Sequence, residues 1–307
     1  LVALQKKHRV GILQGQTRAG SPPATVTASR VLNMAGHWID DVYEGPTKPR
    51  RHIQGTKGTN IAVRLPEEFA GFGINARDRE GGHLLILPMH DKLFTIGVTE
   101  TFFEGDADKV RPTEKEIEHL LSETNHILPG LGLRRSDVEH AWAGVRPLQY
   151  DKNDRMGLRT RVLHDLGKDG FPGVFAMTAG PIMTHRSAGR EALRAVAKDL
   201  TAKGAPEPVD SSAHMFESDG NSPCIVDSLP GIREQDLIRA VELEQARTLA
   251  DVLVRRTGIV WKAALTMDRI QRAADIVGEA ANWSTDQKKD EIARFIDILR
   301  NEYKMSI

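Results

Sequence analysis

Residues 175–186 read Phe-Ala-Met-Thr-Ala-Gly-Pro-Ile-Met-Thr-His-Arg: a hydrophobic strand, a glycine turn, then Pro181 at the expected first helical position. A proline there gives up an N–H that the helix leaves unpaired in any case. Such a strand–turn–helix junction aims backbone N–H groups and the positive end of the helix dipole at one point. An anion suits that point: a phosphate, a carboxylate or the N1–O2 edge of a reduced flavin. An ordinary strand-to-helix connection has the same pattern, so the segment alone leaves both readings open. A second candidate is Arg146, inside Trp142–Leu148 (WAGVRPL), with Arg155, Arg159 and Arg161 downstream. Paired guanidinium donors can clamp a phosphate, and a surface salt bridge is the alternative. Glu244, Thr248, Asp251 and Arg255 form a polar stripe at helical spacing. An arginine four residues after an acid favours a structural ion pair over a pair of catalytic acids.

The elements that must position these residues follow from periodicity. Val10–Leu13 and Ala24–Ala28 flank Gly20-Ser21-Pro22-Pro23, a hairpin or meander. Arg30–Ala35 predicts a buried strand closing on Gly36, and strands follow at His52–Val63, His83–Pro88 and Leu93–Thr99, with Asp91-Lys92 as a turn. Thr113 followed by Glu116 fits a capping box, opening a helix that ends at Pro129-Gly130. Strands return from Arg146 to Met177, followed by a turn at Thr178–Pro181 and a helix to about Lys203. Residues 204–222 are rich in Pro, Ser, Gly and Asp and predict a linker. Helices are expected near 233–257, 264–280 and 284–303. The fold class is mixed α/β followed by an all-helical domain.

Composition narrows the function. The 307 residues carry 42 basic and 42 acidic side chains, are 40% hydrophobic and contain one cysteine, Cys224. That is a globular composition, with no disulfide framework. Residues 1–209 hold 29 basic and 25 acidic residues, a surplus too small and too scattered for a nucleic-acid footprint. The longest uncharged run, Gly170–His185, is too short to span a bilayer and is broken by Gly and Pro. Lys6, Lys7, His8 and Arg9 argue against a signal peptide, so a cytoplasmic setting is expected. The phosphate loop, the zinc-protease helix, the serine elbow and the G-x-G-x-x-G fingerprint are all missing from the sequence.

Seven segments, taken in order, resemble the FAD-dependent glycerol-3-phosphate dehydrogenases of the D-amino-acid-oxidase-like flavoprotein superfamily. They are NMAGHWIDDV (33–42), GTKGTNIAV (55–63), TIGVTET (95–101), VRPTEKEIEHLL (110–121), HAWAGVRPL (140–148), TAGPIMTHR (178–186) and EQARTLADVLVRRT (244–257). The resemblance covers the family's later half and its C-terminal helices, without the N-terminal fingerprint segment. It implies an N-terminally incomplete FAD-dependent oxidoreductase domain over 1–203. Within it, an antiparallel substrate-domain sheet covers about 43–145 and a return to the Rossmann-like FAD domain about 146–203. A linker at 204–222 and a helical domain at 223–307 follow.

The implied reaction oxidises sn-glycerol 3-phosphate to dihydroxyacetone phosphate, passing a hydride to FAD N5 and then electrons to a quinone. A related polyol phosphate, an oxidase using oxygen, or a binding module without turnover are the alternatives. Quinone reduction would bring the protein to the cytoplasmic face of the membrane as a peripheral contact. The resemblance places Ala35, Gly36, Trp38, Gly180, Ile182, Met183 and Thr184 at FAD. It places Arg146 at substrate as the catalytic residue and Arg161 at the substrate phosphate. Pro181 stands where relatives usually have Lys, and Asn60 where they usually have His. Val98-Thr99-Glu100-Thr101 replaces their T-T-D-T. A neutral Asn60 cannot take the alcohol proton near neutral pH; His185 is a substitute candidate.

Overall fold

The computed structural model describes residues 3–7, 10–15, 24–43, 49–178, 180–197, 200, 221–226, 231–263 and 265–305. The expected linker at 204–222 lies outside the described residues except at its last two positions, as does the turn at 20–23. The chain divides into two compact units. One comprises Leu1–Gly58, Glu100–Val110 and Gly144–Pro208, the other Thr59–Thr99, Arg111–Ala143 and Val209–Ile307.

The first unit opens with an antiparallel meander, β1 (Ala3–Lys7), β2 (Val10–Gly15) and β3 (Ala24–Ala28), in which Leu13 faces Val26. Strand β4 (Val31–Asn33) follows, short and ending ahead of Gly36, which sits at φ +61°. The buried Asn33 explains the end of the strand. Its amide donates to the Ile39 carbonyl at 2.8 Å and the Tyr43 hydroxyl at 2.9 Å, and its oxygen accepts from the Ala35 N–H at 3.2 Å. Those bonds fold 34–39 into a turn instead of prolonging the strand.

Strand β5 (Ile53–Arg64) begins in this unit and ends in the other. The second unit continues with β6 (Ile74–Arg77), β7 (His83–His90) and β8 (Leu93–Gly97); the first resumes with β9 (Thr101–Phe103). Asp91, at φ +50°, makes the expected β7–β8 turn. Helix α1 (Glu114–Ile127) carries the expected capping box: the Glu116 N–H donates to Thr113 Oγ1 at 3.3 Å, and the Thr113 N–H donates to Glu116 Oε2 at 2.8 Å. The Thr59 hydroxyl also donates to Glu116 Oε2, at 3.0 Å, fastening the helix start to β5. Apolar residues of α1 and the sheet share one core that includes Ile61, Ile86, Phe94, Ile96, Ile117 and Leu120.

Strand β10 (Val138–Asp151) starts well before Arg146, where sequence alone placed the return to strands. It is followed by β11 (Asp154–Leu158), β12 (Val162–Asp165) and β13 (Val174–Thr178). The order in the large sheet is β11-β10-β5-β8-β7-β6, with β9 also on β5. A smaller sheet has the order β12-β13-β4, and β13 runs parallel to β4 with Ala176 beside Asn33. That parallel pair has Val31, Ile39, Leu166, Phe171 and Val174 in its core.

Helix α2 (His185–Ala197) is the described part of the helix expected to about Lys203; residues 198–199 and 201–203 lie outside the described residues. The helix expected over 233–257 is instead two pieces: α3 (Glu234–Glu242) and a π-helical turn, Asp251–Arg256. Gln245 at φ +56° breaks them apart, a conformation no helix interior accommodates. Helices α4 (Met267–Ala280) and α5 (Thr285–Asn301) follow as expected, capped by Thr266 and Ser284. Their core contains Leu237, Leu249, Leu253, Ile270, Val277, Phe295 and Leu299. These helices belong to the same unit as β6, β7 and β8: the Ala141 N–H donates to the Tyr303 carbonyl at 3.0 Å, and Arg111 pairs with Glu302 at 3.0 Å. Among the described residues no helix is long and apolar enough to cross a membrane.

Candidate active site

The candidate residues of the first unit lie beside β4, on β10, after β11 and at the β13–α2 junction; β4 and β13 are paired, and Arg161 meets the turn after β13. At that junction Gly180 holds φ +93°, a backbone conformation that a β-carbon disfavours. A β-carbon there would also lie 3.0 Å from the Arg161 Cβ. Pro181 does not occupy the first position of α2. Its ψ of 141° is extended, and it caps a 3-10 turn, Ile182–Thr184, that precedes the helix. The cause is Thr184, whose N–H and hydroxyl both donate to the Pro181 carbonyl, at 2.9 and 2.7 Å. His185 then donates from Nδ1 to the Ile182 carbonyl at 2.8 Å, because a carbonyl can only accept. That bond fixes the ring and leaves Nε2 as the nitrogen available for other work.

The turn presents unusual apolar exposure. Ile182 is 86% exposed and Met183 78%, while Met34 and Trp38 beside Gly36 are 51% and 43% exposed. Nothing lies within 4 Å of the position a Gly36 β-carbon would take. Large side chains held out on tight turns, with open space at Gly36, suit contact with a flat apolar group.

Arg161 braces the turn. Its Nε donates to Glu191 Oε2 at 3.1 Å, and its Nη1 lies 3.1 Å from Thr184 Oγ1 and 3.0 Å from Ser187 Oγ. Arg159 is ion-paired with Glu100, and Arg155 stacks over Phe102 at 4.2 Å. Arg146 differs from all three. It is half-buried on β10, and its Nη1 is buried with no hydrogen-bond partner. The guanidinium lies against Gly58, where a β-carbon would come within 2.5 Å of Nη2 and 2.6 Å of Nη1. Burial pulls its pKa down from the usual range; Glu100 opposes that shift and Arg159 adds to it. The group stays charged at neutral pH. A buried, charged donor without a partner costs free energy that an anionic ligand would recover.

Asn60 belongs to the second unit, where it faces Gly97 in the β5–β8 ladder. The polar stripe at Glu244–Arg255 is structural. Asp251 accepts from the Arg247 and Thr248 N–H groups at 3.0 Å and pairs with Arg255 at 2.9 Å.

Sequence reasoning missed a buried polar cluster beneath β13. His52 Nδ1 meets Asp40 Oδ1 at 2.8 Å, and the His52 and His164 rings pack edge to face with centroids 4.7 Å apart. The Thr178 hydroxyl donates to Gln149 Oε1, and His164 Nε2 approaches the same oxygen at 3.2 Å. Gln149 can only accept at that atom, so His164 is held as the neutral Nε2–H tautomer. Burial, then His52 and Arg50, push its pKa down to about 4. The only available signal was polar residues interrupting apolar strands, which does not say which of them meet.

The family model for FAD dependent oxidoreductases matches residues 2–198. The chain belongs to that family. It is 27% identical over 326 residues to a glycerol-3-phosphate dehydrogenase of Synechocystis sp., covering 86% of this chain and 58% of that protein. It is 25% identical over 178 residues to an aerobic glycerol-3-phosphate dehydrogenase of Staphylococcus aureus, covering 57% of this chain and 31% of that protein. The chain thus spans less than two thirds of the length of either relative. Its fold matches that of the Bacillus halodurans glycerol-3-phosphate dehydrogenase solved with FAD, at a TM-score of 0.75 and 18% identity, over 97% of this chain and 67% of that one. The family resemblance carried by the seven segments is borne out, as is the mixed fold with C-terminal helices.

Proposed function

We propose that this chain takes part in flavin-dependent oxidation of sn-glycerol 3-phosphate to dihydroxyacetone phosphate, with FAD as cofactor and a quinone as final electron acceptor. The observation that carries the reading is Arg146: a half-buried guanidinium with an unpartnered nitrogen, seated on a glycine, in a member of the FAD dependent oxidoreductase family. The names of the two relatives supply the substrate class.

The residues present fit a flavin. Ala35, Gly36 and Trp38 on one turn offer open backbone at Gly36, and Gly180, Ile182, Met183 and Thr184 on the other offer a left-handed glycine turn with outward apolar side chains. When bound, FAD supplies the two-electron acceptor for the alcohol. Arg146 holds an anionic oxygen of the substrate, and in a partly dry setting such a charge-assisted bond is about twice as strong as a neutral one. Arg161, committed to Thr184, Ser187 and Glu191, acts through the turn: it fixes where residues 180–184 lie. His185 keeps Nε2 free, at the start of α2, to exchange a proton.

The test is turnover by the purified flavoprotein with sn-glycerol 3-phosphate, glycerol and glycine as substrates, read by reduction of a soluble quinone and by peroxide release. The reading expects quinone reduction with glycerol 3-phosphate alone. Turnover with glycine instead, or none with any of the three, would overturn it.

A further inference from the structure

The second unit contains a cavity of about 480 Å³, within the size range of small-ligand sites. Its inner wall is apolar: Leu93, Val260, Leu299 and Met305 are all buried, and Trp261 closes one side. Its polar lining is cationic, with Arg64, Arg135, Lys262 and Lys304 against a single carboxylate, Glu139. Two of the cations are already compensated, Arg64 by Glu139 at 2.6 Å and Arg135 by Glu114 at 2.7 Å. Among the described residues no carboxylate pairs with Lys262 or Lys304, and both are exposed.

Two further features set this cavity apart from an ordinary crevice. Lys304 holds φ +53°, three residues past the end of α5, where the turn is closed by the Met305 N–H on the Leu299 carbonyl at 3.0 Å. Glycine or asparagine normally takes such a left-handed position after a helix, so a lysine there bears a conformational cost and brings a cation to the rim. His140, on β10, has a buried Nδ1 with no hydrogen-bond partner, and its ring meets Trp261 edge-on at 6.0 Å.

We propose that this cavity binds an amphipathic anion: an acyl or alkyl chain along Leu93, Val260, Leu299 and Met305, with its acid group held by Lys262 and Lys304. The wall favours an amphipathic anion over a fully hydrophilic one such as inorganic phosphate, because Leu93, Val260, Leu299 and Met305 offer a hydrophilic anion no polar partner. The charge disfavours an amphipathic cation, which would meet two lysines at close range; Glu114, the carboxylate that interacts with Lys304, is already hydrogen-bonded to Arg135. The site involves none of the residues assigned to flavin or substrate. It therefore stands or falls independently of the reading above.

The experiment is calorimetric titration of the protein with decanoate and decyl phosphate below their micelle concentrations, with Trp261 fluorescence as a second readout. Decyltrimethylammonium and inorganic phosphate serve as comparison ligands. Both decyl acids should bind one to one, and the tighter of the two identifies the headgroup. Lys262→Ala with Lys304→Gly should weaken both about tenfold or more. Lys304→Gly alone should weaken binding while leaving the melting temperature unchanged or raised, because glycine suits φ +53°; that separates loss of a ligand contact from loss of folding. Undiminished affinity in the double variant, equal binding of decyltrimethylammonium, or inorganic phosphate binding as tightly as decyl phosphate would each overturn the proposal.

Discussion

The Arg146 guanidinium rests on Gly58 so closely that a β-carbon at residue 58 would lie 2.5 Å from Nη2 and 2.8 Å from Cζ. Gly58 therefore sets where the charge of Arg146 can be. The obstructed atoms are the far end of a flexible side chain, so Gly58→Ala should displace the guanidinium and not unfold the strand. We expect kcat/KM for glycerol 3-phosphate to fall by about tenfold to a hundredfold, with a melting temperature within a few degrees of the parent. Steady-state kinetics and a thermal melt on the same preparation check this; unchanged kcat/KM would remove Arg146 from the substrate.

Arg161 separates two roles by their kinetics. If it positions the 180–184 turn, Arg161→Met should weaken flavin binding and leave KM for glycerol 3-phosphate nearly unchanged. Arg161→Lys should restore the loss only in part, because one ammonium cannot serve Glu191, Thr184 and Ser187 together. A raised KM with intact flavin affinity would instead place Arg161 on the substrate phosphate.

His164 predicts a pH dependence of stability. Its folded-state pKa, about 4, lies below the ordinary histidine value of 6.5, so between those values the unfolded chain binds more protons. The associated stability is fully present above pH 6.5 and is lost as pH falls toward 4, an effect of about 1–2 kcal/mol once solvent screening is allowed for. His164→Gln should flatten that part of the profile, measured by urea unfolding at a series of pH values. An unaltered slope would mean that other groups carry it.

The cap of α1 is the sharpest local prediction. Thr113→Ala removes the hydroxyl that accepts from the Glu116 N–H and should cost about 1 kcal/mol of stability. Glu116→Ala should cost more, because Glu116 also receives the Thr59 hydroxyl from β5. Denaturant melts of the two variants give the comparison; equal losses would show that the Thr59 contact contributes nothing.

What the sequence made legible was local. The Thr113–Glu116 box, the turn at Asp91, and strand β13 leading into the Gly180 turn each lie within a few residues, where spacing maps onto geometry. Strand β6 escaped because Ile74–Arg77 is short, and its side chains are exposed or only partly covered. The break at Gln245 escaped because the surrounding residues keep helical spacing while one backbone angle does not. The Arg146–Gly58 contact and the His52–His164 pair escaped for another reason. Each joins residues far apart in the chain, and only the pairing of strands decides which side chains meet. The resemblance gave Arg146 the catalytic role and set Arg161 at the substrate phosphate. The fold distinguishes them, by giving Arg161 three neighbours on α2 and its approach and leaving a nitrogen of Arg146 unpartnered.

The central claim is that this chain brings a polyol phosphate to a flavin. Anaerobic mixing of the flavin-loaded protein with sn-glycerol 3-phosphate, followed through the visible flavin band, tests it most directly. Glycerol 3-phosphate should bleach the band, and Arg146→Gln should slow the bleaching sharply. A band that dithionite bleaches but glycerol 3-phosphate leaves untouched would contradict the claim.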